Sequence, residues 1–287
     1  CMPALLDPQT YTAVRRPLLE AETLPPGCYY DPAFYQREVE RIFTSGWVLV
    51  GRLDQIPNRG DYFTVDFADI RLIVMRDLQG EVHAYGNTCR HRGARLLDGR
   101  GNARAIVCPY HAWTYALDGT LRGAVGMEAT VGFCKEDHSL VGARAQAWGG
   151  FIFVSVDPSG VTLADWLGEL PEKLAMYRLE DMVATRRESF TVACNWKLWV
   201  ENFMEGYHIP TVHRATISGH KAVNQPQETK RGQYQMIREI HPGTLALLGD
   251  DAGFPPIESL AGEEGMGSRF ILVYPATMIA ICIDSMW

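Results

Sequence analysis

Two short segments of the sequence each carry one cysteine and one histidine at a spacing typical of metal ligands. One residue separates Cys89 from His91, two residues separate Cys108 from His111, and sixteen residues lie between the two pairs. Thiolates and neutral imidazoles bind transition metals, so each segment offers one sulfur and one nitrogen ligand. The four side chains therefore predict a metal centre that is held by two loops.

The mixture of ligands within each loop favours one kind of centre. A zinc finger with two cysteines and two histidines takes both cysteines from one segment and both histidines from another. In a Rieske [2Fe–2S] cluster, cysteines hold one iron and histidines replace the two cysteines of the other iron, which accounts for a mixed pair in each loop. We therefore predict a Rieske cluster, and a structural zinc site is the alternative.

A second group of potential metal ligands lies in residues 195–213. If the segment is a helix that stops before Pro210, Glu205 and His208 lie on neighbouring faces, and the turn after the proline brings His213 back towards them. Two imidazoles and one carboxylate bind Fe(II) on one face and leave positions open for O2 and substrate. His208 and His213 are the predicted iron ligands, and histidines that only pack or cap a helix end are the alternative.

Both segments resemble the metal-binding motifs of the catalytic subunits of Rieske non-haem iron oxygenases, the ring-hydroxylating family. The cluster loops read CRHRG from Cys89 and CPYHAW from Cys108. The second segment is similar to the family's mononuclear-iron motif, which consists of an acid, an asparagine, a further acid and two histidines. In this sequence the motif falls on Glu201, Asn202, Glu205, His208 and His213.

The resemblance implies a fold, an assembly and a set of catalytic residues. The fold is α+β, with an antiparallel β Rieske domain joined to a catalytic domain of the helix-grip type. Three copies form a homotrimer in which the cluster of one subunit faces the mononuclear iron of its neighbour. Glu205 is the acid that bridges the two centres, and Asn202 and Tyr207 are the further catalytic candidates.

The third iron ligand of the family is an Asp further along the chain. Asp284 lies in a strand-like pattern, Asp250 and Asp251 lie in a loop-like pattern, and none of the three is a convincing counterpart. We therefore expect the catalytic domain to be C-terminally incomplete in this sequence.

The same resemblance leads to an expectation for the reduction potential of the cluster. High-potential Rieske proteins of respiratory chains carry a further cysteine in each loop and join the loops by a disulfide, whereas this sequence has Ala94 and Tyr110 there. A cluster without this cross-link and with fewer hydrogen bonds has a lower potential. We expect a potential at the low end of the Rieske range.

Patterns of strands and turns divide the chain into three segments. Residues 1–45 are expected to pack on the catalytic domain and include a helix at 32–43, which Asp31 is placed to cap. Short alternating strands and turn signals over 46–158 predict the β-rich Rieske domain. Residues 159–287 are the predicted catalytic domain with the mononuclear iron.

Composition and charge exclude several other classes of protein. The chain has 287 residues, is 47% hydrophobic and carries a net charge of −7, which does not favour a nucleic-acid partner. The longest apolar run, 270–283, is interrupted by Pro275 and is too short to span a bilayer, so it predicts buried strands. Seven cysteines without a framework pattern predict no disulfide and a cytoplasmic protein.

The motifs together predict an oxygenase component that uses O2 to oxidise a small organic substrate. The sequence has no glycine fingerprint for a dinucleotide, so electrons must come from a separate NAD(P)H-dependent reductase, directly or by way of a ferredoxin. Glu205 stands where the family usually has Asp, and the longer acid occurs in relatives that oxidise N-methyl groups of quaternary ammonium compounds. Monooxygenation with N-demethylation is the first hypothesis and aromatic cis-dihydroxylation the second. A Rieske electron carrier without oxygenase activity is the alternative from a different class.

Overall fold

The computed structural model divides the chain into two units. The described residues are 5–17, 19–213, 225–227, 229–240, 254–260, 262 and 267–287. The first unit, named here the cluster unit, comprises Thr44–Leu163 and Arg178–Arg187. The second, named the iron-motif unit, comprises Cys1–Phe43, Ala164–Tyr177 and Glu188–Trp287.

The cluster unit, all of whose residues are described, is built from short antiparallel strands. They are β1 Val48–Arg52, β2 Asp61–Phe67, β3 Ile70–Arg76, β4 Val82–Gly86, β5 Arg100–Asn102, β6 Ile106–Val107, β7 Thr114–Tyr115, β8 Leu121–Gly123, β9 Gly142–Trp148 and β10 Phe151–Ser155. Seven of them form one sheet in the order β1-β10-β9-β4-β3-β2-β5, and β6, β7 and β8 form a smaller sheet. The antiparallel β domain implied by the resemblance is thereby confirmed.

Strand β3 is buried on both faces and serves two hydrophobic cores. Successive side chains of a strand point to opposite sides. Ile73 and Met75 pack in the core that contains both predicted cysteine ligands. Leu72 and Val74, one residue out of phase, pack in the other core of this unit. The uninterrupted apolar run of β3 thus places the cluster loops on a closely packed core.

Residues 178–187 belong to the cluster unit, although the sequence analysis assigned them to the catalytic domain. The guanidinium of Arg52, at the end of β1, donates hydrogen bonds to the carbonyls of Leu179 (3.3 Å) and Met182 (2.5 Å). The backbone N–H of Ala184 donates to Asp54 at 2.7 Å. A segment without regular strand structure is held here by side-chain contacts, which no strand pattern in the sequence indicates.

Short helices occur in both units, and a third sheet is described in the iron-motif unit. The α-helices are α1 Gly27–Tyr30, α2 Pro32–Glu38, α3 Leu163–Leu167, α4 Leu170–Leu174, α5 Trp196–Phe203 and α6 Ile209–Val212. Val39–Phe43 is a π-helix, and the 3-10 helices are Pro8–Tyr11, Leu53–Gln55, Lys135–His138, Ala175–Tyr177 and Leu179–Asp181. Among the described residues, no helix is long and apolar enough to cross a membrane.

The sheet of the iron-motif unit has four antiparallel strands. They are β11 Gln225–Gln227, β12 Tyr234–Glu239, β13 Ser268–Val273 and β14 Thr277–Ile281, in the order β11-β12-β13-β14. Most residues of β13 and β14 are buried. The prediction of buried strands in 270–283 is confirmed.

The predicted helix at 32–43 is confirmed with its cap. Asp31 Oδ1 accepts hydrogen bonds from the backbone N–H groups of Ala33 (2.9 Å) and Phe34 (3.1 Å). These two groups lack partners within the helix, so the carboxylate satisfies them. Helix α2 and the π-helix that follows it together reach the predicted end at Phe43.

The prediction of one helix that stops before Pro210 is wrong. Helix α5 ends at Phe203, and α6 begins at Ile209 with Pro210 in its first turn. A proline lacks an N–H group but needs no hydrogen bond in the first turn, so it begins a helix more readily than it ends one. Glu205 therefore lies in the connection between two helices and not on a helical face.

Candidate metal centres

The two cluster loops have the same backbone hydrogen bonds. In the first loop the N–H of Cys89 donates to the carbonyl of Ala94 at 2.8 Å, and the N–H of Gly93 donates back to the Cys89 carbonyl at 3.0 Å. The second loop repeats both bonds at the same spacing, from Cys108 to Trp113. Each loop is thus closed across its own ends.

Equivalent positions of the two loops have left-handed backbone conformations. Gly93 has a φ of 73° and Ala112 a φ of 56°. Glycine adopts this region without strain, whereas the Cβ of an alanine costs about 1–2 kcal/mol there. The second loop therefore carries backbone strain that the first loop avoids.

The loops sort their four ligands into a sulfur pair and a nitrogen pair. The thiols of Cys89 and Cys108 are buried and contact each other. The rings of His91 and His111 lie 4.7 Å apart between centroids, at an angle of 67°. Among the described residues, the Nδ1 atoms of both rings are buried without a hydrogen-bond partner. Buried polar atoms without partners are costly, so this pair of nitrogens fits metal ligands.

The four ligands do not converge on one ion. Within the described ranges, no three His, Cys, Asp or Glu side chains come close enough together to hold a single metal ion. A tetrahedral zinc site needs four ligands around one centre, so the separation into a sulfur pair and a nitrogen pair favours the Rieske cluster over a structural zinc site. Two sulfurs for one iron and two nitrogens for the other are the ligands that a Rieske cluster requires.

Hydrogen bonds from this chain reach the sulfur pair. The hydroxyl of Tyr115 lies 3.3 Å from Cys89 Sγ. Burial of Cys108 favours its neutral thiol, but the backbone N–H groups of Tyr110 and His111 outweigh that effect and lower the pKa of the thiol. The buried hydroxyl of Tyr115 lies in β7, outside both loops. Sequence spacing does not reveal its contact with Cys89. The low reduction potential stays a prediction.

The nitrogen pair is kept in the form that binds metal. Burial, together with the nearby rings and charges of His111 and Arg92, lowers the pKa of His91, so its imidazole is neutral at physiological pH. The indole of Trp113 stacks on the His91 ring at 4.8 Å, with an interplanar angle of 8°. Neutral imidazole is the ligand form, and the stacked ring limits its rotation.

Asn87 fixes the exit of the first loop and was missed by the sequence analysis. Its side chain is almost fully buried; Oδ1 accepts from the N–H groups of Leu96 (3.1 Å) and Leu97 (3.0 Å), and Nδ2 donates to the Leu97 carbonyl at 2.7 Å. Asparagine side chains tend to form hydrogen bonds with nearby backbone groups. The position of Asn87, two residues before Cys89, was therefore a sequence signal for this role.

The second candidate centre is formed around α6. His208 directly precedes this helix and His213 directly follows it, and their rings lie 5.2 Å apart between centroids, at 66°. The structure thus brings the two predicted iron ligands together, though by a short helix and not by the predicted turn.

Glu205 holds the ring of the first histidine. Its Oε1 lies 2.5 Å from His208 Nδ1, and Oε2 accepts from the backbone N–H groups of Tyr207 and His208. Burial alone raises the pKa of the Glu205 carboxyl, but these bonds outweigh it and lower that pKa. A carboxylate on Nδ1 leaves Nε2 of His208 for a metal, which is the arrangement common around metal-binding histidines.

The other predicted residues of this motif have different surroundings. Asn202 Nδ2 lies 3.3 Å from the same His208 Nδ1 atom. The Tyr207 ring is 94% exposed, and only its backbone touches Glu205, so its catalytic role stays a prediction. Asp284 follows β14 and accepts from Ser285 Oγ at 2.9 Å.

The described residues supply no third ligand to the histidine pair. None of their His, Cys, Asp or Glu side chains completes a three-membered site for one ion. Asp250 and Asp251 lie outside the described residues. The two imidazoles fit an Fe(II) site in their chemistry, and the third ligand is not identified.

Comparison with known proteins identifies both units. A family described as "Rieske [2Fe-2S] domain" matches residues 46–133, and one described as "Ring hydroxylating alpha subunit (catalytic domain)" matches residues 179–286. The chain belongs to the Rieske non-haem iron oxygenases, as a catalytic (alpha) subunit of the ring-hydroxylating family. Members of this family bind a Rieske [2Fe–2S] cluster and a mononuclear iron.

Three similar proteins show which members of the family this chain resembles. Choline monooxygenase, chloroplastic, from Beta vulgaris is 36% identical over 201 residues, which cover 68% of this chain and 45% of that protein. The crystal structure of the quaternary ammonium Rieske monooxygenase CntA with γ-butyrobetaine has a TM-score of 0.77 at 25% identity, over 91% of this chain and 68% of that one. Naphthalene 1,2-dioxygenase from Rhodococcus sp. has a TM-score of 0.75 at 29% identity, over 90% and 64%. The chain spans about half the length of the curated relatives it matches.

Proposed function

We propose that this chain is part of an oxygenase component that oxidises a quaternary ammonium compound with O2. The observation that carries the proposal is the contact of Glu205 with Nδ1 of His208, beside His213, in a chain that also carries the two cluster loops. An electron carrier has no use for this second pair of ligands. Residues 179–286 match the catalytic-domain family, which also favours an oxygenase over an electron carrier.

The residues of the two centres have distinct roles in this proposal. Cys89, Cys108, His91 and His111 hold the cluster, and His208 and His213 hold the mononuclear iron. When bound, the cluster would pass on electrons received from the reductase, and the iron would offer open positions for O2 chemistry. Glu205 is a positioning acid that fixes the His208 ring and is the proposed bridge to the cluster of a neighbouring subunit, with Asn202 as a second contact.

Domains, assembly and partners complete the proposal. The proposed domains are an N-terminal segment 1–45, a Rieske domain 46–158 and a catalytic domain 159–287. The protein forms a homotrimer and receives electrons from a separate reductase, directly or by way of a ferredoxin. Its cytoplasmic location stays a prediction from the sequence.

The substrate class rests on relatives and on one side chain. Choline monooxygenase and the quaternary ammonium monooxygenase CntA are named for cationic substrates that carry N-methyl groups. Glu205 stands at the position where the wider family more often has Asp. Hydroxylation of an N-methyl carbon gives a product that loses formaldehyde, so N-demethylation is the proposed reaction.

A single-turnover experiment tests this substrate class. The cluster is reduced chemically, excess reductant is removed, and the protein is mixed with O2 and choline, γ-butyrobetaine or naphthalene. We expect choline or γ-butyrobetaine to accelerate reoxidation of the cluster and to give formaldehyde. The control is a Cys108→Ser variant, which has no cluster.

Aromatic cis-dihydroxylation is the second candidate, because the naphthalene dioxygenase structure covers 90% of this chain. Formation of a diol from naphthalene, with no formaldehyde from the cations, would favour it. Iron analysis addresses the carrier alternative: an oxygenase holds three irons per chain, whereas a carrier holds the two of the cluster.

A further inference from the structure

The start of helix α5 is held by a buried ion pair. Lys197 Nζ lies 2.6 Å from Glu38 Oε1, and the two side chains are only 10% and 6% exposed. The second oxygen of Glu38 accepts a hydrogen bond from Trp196 Nε1 at 3.1 Å. Both oxygens of one carboxylate at the end of α2 are therefore used by consecutive residues in the first turn of α5.

Aromatic rings complete the surroundings of the Lys197 ammonium. Its Nζ lies 5.4 Å from the ring centroid of Tyr29, 5.6 Å from that of Phe34 and 5.3 Å from that of Trp196. A cation is attracted to ring faces at this distance. Desolvation offsets much of the attraction between the charges of a buried ion pair, so such a pair adds little net stability. Its better-supported role is to select one arrangement of the packed helices over others.

A second contact holds α5 one turn further along. The hydroxyl of Tyr29 donates to Glu201, at 2.8 Å from Oε1 and 3.1 Å from Oε2. Burial, and then the bond to Glu201, raise the pKa of Tyr29 to about 12, so the hydroxyl remains a donor at neutral pH. Residues four apart share one helical face, so one face of α5 is attached to α2 through Lys197 and to α1 through Glu201.

Two attachments on one face restrain a helix more than one attachment does. One contact restrains α5 at a single point of this face, whereas two contacts a turn apart restrict both its rotation and its movement along the axis. The residue after Glu201 is Asn202, whose amide contacts Nδ1 of His208 at 3.3 Å. A rotation of α5 would break that contact.

We infer that Tyr29 and Glu38 are positioning residues for the mononuclear iron. They hold α5 so that Asn202 stays packed against the Nδ1 edge of the His208 ring, whose N–H donates to Glu205, and the ring keeps one orientation. Neither residue touches the metal or the substrate. The inference depends on the proposed function in one respect, which is that His208 is an iron ligand.

The main test is Tyr29→Phe, which keeps the ring beside Lys197 and removes only the hydroxyl. The mononuclear iron is removed from the holoenzyme while the cluster is retained. The protein is then titrated with Co(II). We expect the Kd for Co(II) to rise about tenfold, the lower end of the effect of losing a group that orients a metal ligand. The visible spectrum of bound Co(II) should also change shape, while the EPR signal of the reduced cluster stays the same.

The matched control is Tyr30→Phe, because Tyr30 lies in the same helix and is 76% exposed. Co(II) should bind this variant as it binds the unmodified protein. Glu38→Gln, which keeps an acceptor for Trp196, should weaken Co(II) binding in the same direction. If that variant does not fold, as judged by circular dichroism, Tyr29→Phe carries the test.

A double-mutant cycle separates positioning from a general loss of structure. In a Glu201→Ala background, Tyr29→Phe should have no further effect on Co(II) binding, since the two residues act through one contact. Additive effects, or equal Co(II) binding by the Tyr29→Phe and Tyr30→Phe variants, would overturn the inference. If His208→Ala binds Co(II) as the unmodified protein does, His208 is not an iron ligand and the proposed iron site fails as well. This variant therefore distinguishes failure of the positioning role from failure of the proposed function.

Discussion

Single side chains adjust the cluster once its four ligands are in place. Tyr115 lies in β7, outside both loops, and its buried hydroxyl reaches Cys89 Sγ. Burial, and then the bond to Cys89, raise the pKa of Tyr115, so the group stays a protonated donor at physiological pH. A hydrogen bond to a cluster sulfur stabilises the more negative, reduced state and raises the reduction potential.

Tyr115→Phe should therefore lower the potential of the cluster. One lost hydrogen bond of about 0.5–1.5 kcal/mol corresponds to a decrease of about 20–60 mV for a one-electron couple. A redox titration monitored by EPR measures the change. Tyr85→Phe is the control, because that hydroxyl is buried in the same core but bonds the Leu117 carbonyl. An equal shift in both variants would refute the assignment to Tyr115.

Glu205→Gln tests the bridging role at the same scale. Gln keeps the size of the side chain but replaces an acceptor-only group by one that donates at one end. Both metals should remain bound, while cluster reoxidation by O2 and substrate slows about 10–100-fold, as expected when a residue that orients a metal ligand is changed. Iron analysis and stopped-flow absorbance measure the two effects. Loss of the mononuclear iron with an intact cluster would make Glu205 a ligand.

At the scale of elements, the two cluster loops invite a comparison of equivalent positions. A Cβ at Gly93 would meet no atom within 4 Å, so Gly93→Ala adds only backbone strain. We expect it to destabilise the cluster unit by about 1 kcal/mol, and Ala112→Gly to stabilise it by about 0.5–1 kcal/mol. Thermal unfolding of the holoprotein, with cluster content checked by absorbance, measures both. Changes of the same sign would contradict the strain argument.

Glu169 connects helix α4 to the sheet of the iron-motif unit. Its carboxylate contacts Lys173 Nζ at 2.8 Å and accepts from the backbone N–H of Lys230 and the hydroxyl of Tyr234, both at 3.1 Å. The bond from Lys173, followed by that from the Lys230 backbone, lowers the pKa of Glu169 from 4.5 to about 2. A group with a lowered pKa stabilises the fold above its unfolded pKa, and this contribution is lost as the pH falls.

The stability difference between the unmodified protein and Glu169→Gln should therefore depend on pH. It should be largest above pH 4.5 and should shrink as the pH falls towards 2. Midpoints of thermal unfolding from pH 7 to pH 3 measure it. Glu172→Gln, an exposed position in the same helix, is the control and should give a small difference at every pH. A difference for Glu169→Gln that grows with acidity would refute the sign of the argument.

At the scale of the whole molecule, the proposed homotrimer predicts that electrons pass between subunits. Chains with Cys108→Ser lack the cluster, and chains with His213→Ala lack the mononuclear iron, so trimers of either alone should be inactive. In a mixed trimer isolated with both tags, one of the three boundaries joins a chain that has iron to a neighbour that has a cluster, so about a third of the turnover should return. Coexpression with two affinity tags and an oxygen electrode measures it. No recovery in isolated mixed trimers would refute transfer between subunits.

The type of metal centre could be predicted from the sequence, because metal ligation depends on residue type and on short spacing. Cys89, His91, Cys108 and His111 lie within 23 residues, so local backbone alone brings each Cys–His pair together. Strand β3 was also predictable, since burial on two faces requires an apolar run. The cap at Asp31 follows from equally local rules.

Only the tertiary structure decided contacts between residues distant in the sequence. Three such contacts depend on how the elements pack and leave no periodic signal in the sequence. They join Tyr115 to Cys89, Arg52 to the segment 178–187, and Tyr29 to Glu201, which is 172 positions away. The end of α5 at Phe203 was also decided there, because Pro210 is compatible with either end of a helix and packing selects between them. Sequence thus determined which metals the chain binds, and tertiary packing decided how their ligands are held, because ligand chemistry is local and orientation is not.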